Sequence, residues 1–264
     1  MKRVINIFLH IPRTGGTAFM SSIEEAIGAA KVIMHDRMGH ISHKDAAKML
    51  LENGGVEWFS GHERYGIHRE LPPDVGVRYF SIVRQPCERL LSEYKFLVKC
   101  EEHHRHEWAR QHTFADYLIN KEKLFVLDNQ QSRYLSGRDE RVTRYTEREA
   151  AKNTYYTPAA PNPIISVVTI DRIQLHIDRL VHHGIVPDTI SLITINDTKD
   201  IKVDYNCASK TPRPGLIQDL MDDYTRFDNL LYDTIAENEE PLNKIVAATD
   251  KDLNMPQIIW GEKI

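Results

Sequence analysis

Two short segments carry the residue types that chemistry on a phosphorylated ligand needs. The first is His10-Ile11-Pro12-Arg13-Thr14-Gly15-Gly16-Thr17. It sets a cation, two hydroxyls and a glycine pair between an apolar run and an amphipathic segment. A strand, a glycine loop and a helix in that order aim backbone N–H groups and a positive helix end at one point, which suits an anion. The donors would be the N–H groups of Thr14, Gly15, Gly16, Thr17 and Ala18, with Arg13 beside them. A G-x-x-x-x-G-K-S/T loop is absent, so nucleoside triphosphate binding is not indicated. A tight βα turn whose glycines only solve a backbone problem stays open at this point.

The second segment runs from Tyr79 to Tyr94, YFSIVRQPCERLLSEY. Arg84 falls at the carboxyl end of an expected strand, where open α/β sheets bind ligands. Ser92 follows eight residues later on the polar side of the next helix. An arginine fork with a hydroxyl is a good phosphate clamp. In the competing reading Arg84 pairs with Glu88 and Ser92 faces water. Histidines invite other chemistry. His103, His104, His106 and His112 lack the H-E-x-x-H or C-x-x-C order of a metal site, so no metal is expected there. A solvated polar helix or a surface facing an anionic ligand remains for them. His68 and Arg69 are candidate substrate-binding residues.

The elements that must position these residues follow from periodicity. Residues 4–10 form a β-branched apolar run, as in a parallel strand covered on both faces. Phe19, Ile23, Ala26, Ile27 and Ala30 then recur at helical spacing. Strands are expected at 56–61, 77–83, 164–170 and 190–195. Pro86 suits a first helical residue. After it Cys87, Leu90, Leu91, Tyr94, Leu97 and Val98 share one face, opposite Glu88, Arg89, Ser92 and Lys95. Helices are also expected after Thr113, through about Leu180, and from Gly215 with Leu216, Leu220, Tyr224, Phe227 and Leu231. Residues 101–123 read as polar, 139–163 as irregular and 198–214 as a polar loop. Strands alternating with helices make this an α/β chain with a central, mostly parallel sheet flanked by helices.

Composition bounds the function. The chain has 264 residues, 34 Lys+Arg against 38 Asp+Glu, and a formal charge of −4. That balance disfavours non-specific nucleic-acid binding, so an anionic ligand needs local cations. Hydrophobic residues make up 41% and charged residues 27%, as in a globular protein. No repeat or linker divides the sequence, and residues 1–264 read as one domain. The three cysteines, Cys87, Cys100 and Cys207, do not form a disulfide framework and suit a reducing compartment. No stretch approaches the ~18 apolar residues of a membrane span. A cytoplasmic location is the expectation.

Taken together, the two phosphate segments resemble those of the PAPS-dependent sulfotransferases, closest to the carbohydrate branch with the heparan sulfate and uronosyl O-sulfotransferases. Members carry H-I/V-P-K-T-G/A-G/S-T for the 5′-phosphosulfate and R-D/N-P-x-x-R-x-x-S-x-Y/W for the 3′-phosphate. Here these read HIPRTGGT and RQPCERLLSEY. GHERY at 61–65 resembles the family's G-H-x-x-Y/F, whose histidine is the proposed base. NQQSRYLSG at 129–137 resembles N-x-Q-T/S-R-x-L-x-G. NCASKTPRP at 206–214 stands where members carry a basic loop over the nucleotide, and FDNLLY at 227–232 resembles the D-x-x-L/V-Y/F ending. The likeness covers roughly residues 4–235. It is dense in the first hundred and thin from 138 to 200.

The resemblance implies a P-loop-NTPase-like three-layer fold and transfer of a sulfuryl group from PAPS (3′-phosphoadenosine 5′-phosphosulfate) to a hydroxyl, of a sugar or polysaccharide. Adenosine 3′,5′-bisphosphate would be the product, and no metal would be required. His62 would be the general base and Arg13 the catalytic cation. Arg13, Thr14, Gly15, Gly16, Thr17, Ala18, Arg84, Ser92, Lys210 and Arg213 would hold the nucleotide. Two departures stand out. Arg13 replaces the usual lysine, keeping charge but not the ability to give up a proton. Gln85 replaces the usual Asp or Asn. Two other functions stay open: a P-loop-like kinase or transferase, and a non-catalytic binding module in which Arg13 marks lost activity. The members of the branch are tethered in the Golgi, and an untethered cytoplasmic relative is expected here.

Overall fold

The computed structural model describes residues 3–35, 41–119, 128–137, 164–193 and 215–237. Five strands form one sheet: β1 (Val4–Leu9), β2 (Val32–Met34), β3 (Trp58–Gly61), β4 (Gly76–Val83) and β5 (Ile164–Thr169). Their order is β2-β3-β1-β4-β5, and every neighbouring pair is parallel. β1 therefore lies at the centre, flanked by β3 and β4, which is why its sequence is apolar on both faces. All strands point the same way, so their carboxyl ends make one edge. His10, His35, His62 and Arg84 follow directly at that edge.

Eight helices are described: α1 (Gly16–Ile27), α2 (His43–Glu52), α3 (Pro86–Lys99), α4 (His106–Gln111), α5 (Phe114–Ile119), α6 (Gln130–Ser136), α7 (Ile173–His182) and α8 (Leu216–Glu237). Strand alternation divides the helices that pack on the sheet into two layers. Ile5, Ile7 and Leu9 of β1 pack with Phe59, Tyr79 and Val83 against α2, α6 and α8. Phe8, Trp58, Phe80 and Ile82 pack against α1 and α7. A third cluster joins α3, α4 and α5 through Leu90, Tyr94, Leu97, Phe114 and Tyr117, with Tyr224 of α8. The α/β fold with a parallel sheet between helical layers is as the patterning implies.

Several local expectations are corrected. Residues 190–193 of the expected strand 190–195 are not in a strand, and 194–195 lie outside the described residues. The Ile193 N–H instead donates to the Ser22 hydroxyl of α1 at 2.9 Å. The helix expected to run to Ala30 stops at Gly28, whose φ of 93° leaves the helical region, and Ala30 lies in a 3-10 turn. Helical spacing puts Arg89 on the polar side of α3, but it is only 1% exposed, because its Nη1 donates to Gln130 Oε1. β2, α2 and α4 carry no strong periodic signal and appear only in the fold. Ser42 caps α2 by accepting the Asp45 N–H at 3.1 Å, a contact worth about 1 kcal/mol. Residues 139–163 lie outside the described residues.

Candidate active site

The loop after β1 is shaped by two residues in the left-handed region, Arg13 at φ 70° and Gly15 at φ 89°. Gly15 is also the N-cap of α1, with no side chain closing that helix end. The first-turn N–H groups are thus left to a ligand or solvent, as an anion site requires. Thr14 is buried and its hydroxyl donates to the Ile11 carbonyl at 2.8 Å, pinning the turn. A β-carbon on Gly16 would lie 2.3 Å from His10 Cδ2 and 2.6 Å from Phe8 Cε1. The second glycine is therefore a packing requirement as well as a loop signal.

Arg13 leaves the loop toward α3. Its Nε donates to the Ser92 hydroxyl at 3.3 Å, and its guanidinium carbon lies 4.6 Å from the Phe96 ring centre. Among the described residues its two terminal nitrogens make no hydrogen bond. That edge of the fork is the one suited to a bidentate oxyanion. Burial pulls the Arg13 guanidinium below its usual range, Glu93 opposes this, and the charge of Arg84 adds to it. The two arginines of the two segments thus sense each other at the same end of the sheet. Ser92 is 5% exposed rather than solvated.

Arg84 follows β4 directly. Its side chain meets Glu88 at 3.3 Å, with the arginine 28% and the glutamate 62% exposed. The i,i+4 pair is a weak surface interaction that a stronger anion can displace. The backbone of Arg84 is held more firmly: its N–H donates to Gln131 Oε1 at 2.8 Å and its C=O accepts from Gln131 Nε2 at 2.9 Å.

His62 follows β3 beside the loop. Its Nδ1 lies 2.7 Å from the His10 carbonyl, and the two imidazoles are 4.8 Å apart. A carbonyl only accepts, so Nδ1 carries the proton and the neutral ring has its lone pair on Nε2. A Nε2 lone pair is the form a general base needs. The His10 N–H in turn donates to the Gly61 carbonyl at 3.0 Å, tying the two strand ends together.

The remaining expected residues are more scattered. His68 is half-buried against Tyr79, its Nδ1 3.1 Å from the phenol oxygen, and burial lowers its pKa to about 4. Arg69 is exposed, 6.0 Å from the Tyr65 ring centre. Lys210 and Arg213 lie outside the described residues. In the histidine-rich stretch, His106 and His112 bond backbone carbonyls of Leu97 and Trp108, and His103 stacks on His104. Among the described residues no group of three or more His, Cys, Asp or Glu is arranged to hold a metal ion.

The sequence pattern left out three neighbours of the site. Phe96 is one helical turn beyond Ser92, so the spacing that placed Ser92 could have found it. Glu63 is 1% exposed, with Oε1 accepting the Ile41 N–H at 3.2 Å and lying 3.8 Å from His35 Nδ1. Nothing local marks Glu63, because its burial depends on β2. Gln131 falls in the 129–137 motif, whose pattern alone gives it no role.

No family model matches the chain, and no curated protein matches it. Among solved structures the chain is similar to mouse sulfotransferase SULT7A1 complexed with PAP, at 12% identity and a TM-score of 0.41, covering 93% of this chain and 88% of that one. At that identity and score the likeness is distant.

Proposed function

We propose that this chain transfers a sulfuryl group from PAPS to a hydroxyl of a carbohydrate acceptor. The observation that carries the reading is the contact between Arg13 and Ser92, which joins the two phosphate-type segments across 79 residues of sequence. It lies at the carboxyl edge of a parallel sheet, beside an uncapped helix end. PAPS as donor supplies an activated sulfuryl group on a phosphate that gains negative charge as the bond to it breaks. The N–H groups from Thr14 to Ala18 and the positive end of α1 stabilise that charge, with the outer edge of Arg13. Arg13 remains a cation throughout, so it stabilises and does not donate a proton. Arg84 binds the 3′-phosphate after leaving Glu88. His62 takes the acceptor proton on Nε2, its ring held by the His10 carbonyl. Lys210 and Arg213 contribute positive charge to nucleotide binding, and His68 and Arg69 bind the acceptor. The site acts in the cytoplasm.

The reading is tested by thermal shift with adenosine 3′,5′-bisphosphate against ATP with Mg²⁺, since a ligand of the folded state raises its apparent stability. Stabilisation by the bisphosphate alone is expected. Stabilisation by ATP with Mg²⁺ alone would replace the reading with a kinase-type one. A PAPS-dependent screen across glycans and small hydroxylated metabolites then identifies the acceptor. Bisphosphate binding with no turnover across that screen would favour a binding module.

A further inference from the structure

We propose that Gln131 is a positioning residue that fixes Arg84 for recognition of a nucleotide 3′-phosphate. The inference rests on the nucleotide reading above and assigns the element Asn129–Gly137 a task in it. Gln131 is fully buried, and its amide makes both hydrogen bonds that a neighbouring strand would make to Arg84. β4 pairs with β5 as far as Val83 and Thr169, so Arg84 is the first residue past that ladder. A chain leaving a ladder is free to turn, and the side-chain amide of Gln131 removes that freedom. It holds the Arg84 Cα while leaving the guanidinium able to swing between Glu88 and a ligand.

Gln131 is itself held from two sides. Its N–H donates to Asp228 Oδ2 at 3.1 Å, and the Ser132 N–H and hydroxyl both donate to Asp228 Oδ1 at 2.7 Å. Asp228 lies in α8 and is 1% exposed. In return Asn129 Oδ1 accepts the N–H groups of Phe227 and Asp228 at 2.7 and 3.1 Å. Gln130 Oε1 accepts from Arg89 on α3. Three segments far apart in sequence thus converge on one backbone position, and hydrogen bonds buried together in this way reinforce one another. A helix junction that served packing alone would not need an amide aimed at the backbone of a ligand-binding arginine.

The experiment is calorimetric titration of the full chain with adenosine 3′,5′-bisphosphate and, separately, adenosine 5′-monophosphate. Gln131→Met keeps the volume and removes both hydrogen bonds. It is expected to weaken the bisphosphate by about tenfold and to leave the monophosphate nearly unchanged, since only the former carries the group Arg84 reads. Arg84→Ala should show the same selectivity, and the double variant should lose little more. Gln131→Glu keeps an acceptor for the Arg84 N–H, so a smaller selective loss is expected. It carries the same comparison should the methionine variant fail to fold. Equal weakening of both ligands, or additive losses with Arg84→Ala, would overturn the proposal and leave a packing role. Failure of the unaltered protein to bind the bisphosphate would overturn the nucleotide reading and the proposal together. Tight bisphosphate binding in both proteins would overturn the proposal alone.

Discussion

At the scale of single residues, the departure at Arg13 has a physical counterpart in α3. A planar guanidinium can stack on Phe96 while its Nε bonds Ser92, and an ammonium cannot do both. Arg13→Lys is therefore expected to weaken bisphosphate binding by about three- to tenfold, the size of one cation–π contact and a hydrogen bond. Phe96→Leu should cost a similar factor with Arg13 present and little in the Arg13→Lys background. Calorimetric titration of the four proteins measures that coupling, and equal losses in both backgrounds would remove Phe96 from the account. His62 makes a different prediction. His62→Ala should lower PAPS turnover by ~10²–10⁴-fold, the worth of a general base, while bisphosphate binding persists. A parallel loss of binding would give His62 a structural or nucleotide-holding role.

Between elements, the site depends on close approaches and on one buried carboxylate. β1 and α1 meet where Gly16 faces His10, and no side chain fits there. Gly16→Ala is expected to destabilise the fold by about 1–3 kcal/mol and to reduce bisphosphate affinity, both measurable on one preparation by urea titration and calorimetry. An alanine variant of wild-type stability and affinity would show that the His10 ring yields without cost. Asp228 joins α6 to α8 through three accepted hydrogen bonds. Its carboxyl is pushed upward by burial, with Arg89 and the Ser132 and Gln131 donors pulling the other way. Asp228→Ala leaves those donors buried and unpaired, and about 2–4 kcal/mol should be lost in chemical denaturation.

For the molecule as a whole, buried neutral histidines set the acid limit of stability. His176 of α7 is 1% exposed between Phe19 and Phe80, and neither ring nitrogen has a hydrogen-bond partner among the described residues. Burial, with the nearby Arg179 charge, lowers its pKa from 6.5 to about 3. His68 is lowered to about 4 by burial and by Arg69 and His43. Between these values and 6.5 the unfolded chain binds protons that the folded chain refuses. Their contribution is therefore full above pH 6.5 and falls as the pH drops toward 4 and 3, at up to about 1.4 kcal/mol per pH unit for His176 and by less for the half-buried His68, whose charge solvent screens. His176→Leu should flatten the fall in urea midpoint between pH 6 and pH 4. An unchanged slope would show that the folded protein protonates His176 without unfolding.

How much of this was readable in the sequence varies with how local the cause is. β1, β4 and α3 were legible because apolar runs, Pro86 and helical spacing act over a few neighbouring residues. β2 and α2 were not, since three residues of strand and a helix of mixed polarity gain their stability from the sheet and α2's contacts. Arg89 and Ser92 look alike on a helical wheel, both polar. Only the arrival of Gln130 and Arg13 from other segments buries them. The sequence by itself determined the strand–loop–helix order around Gly15 and Gly16 and the α/β class, since turn signals and periodicity are local, whereas the positive φ at Arg13 and Gly15 belongs to the structure. The tertiary structure decided which polar groups meet: Arg13 with Ser92 and Phe96, His62 with the His10 carbonyl, Gln131 with Arg84. The hydrogen bonds among those pairings span from 47 to 79 residues of chain, a separation over which spacing carries no information and parallel strand register decides.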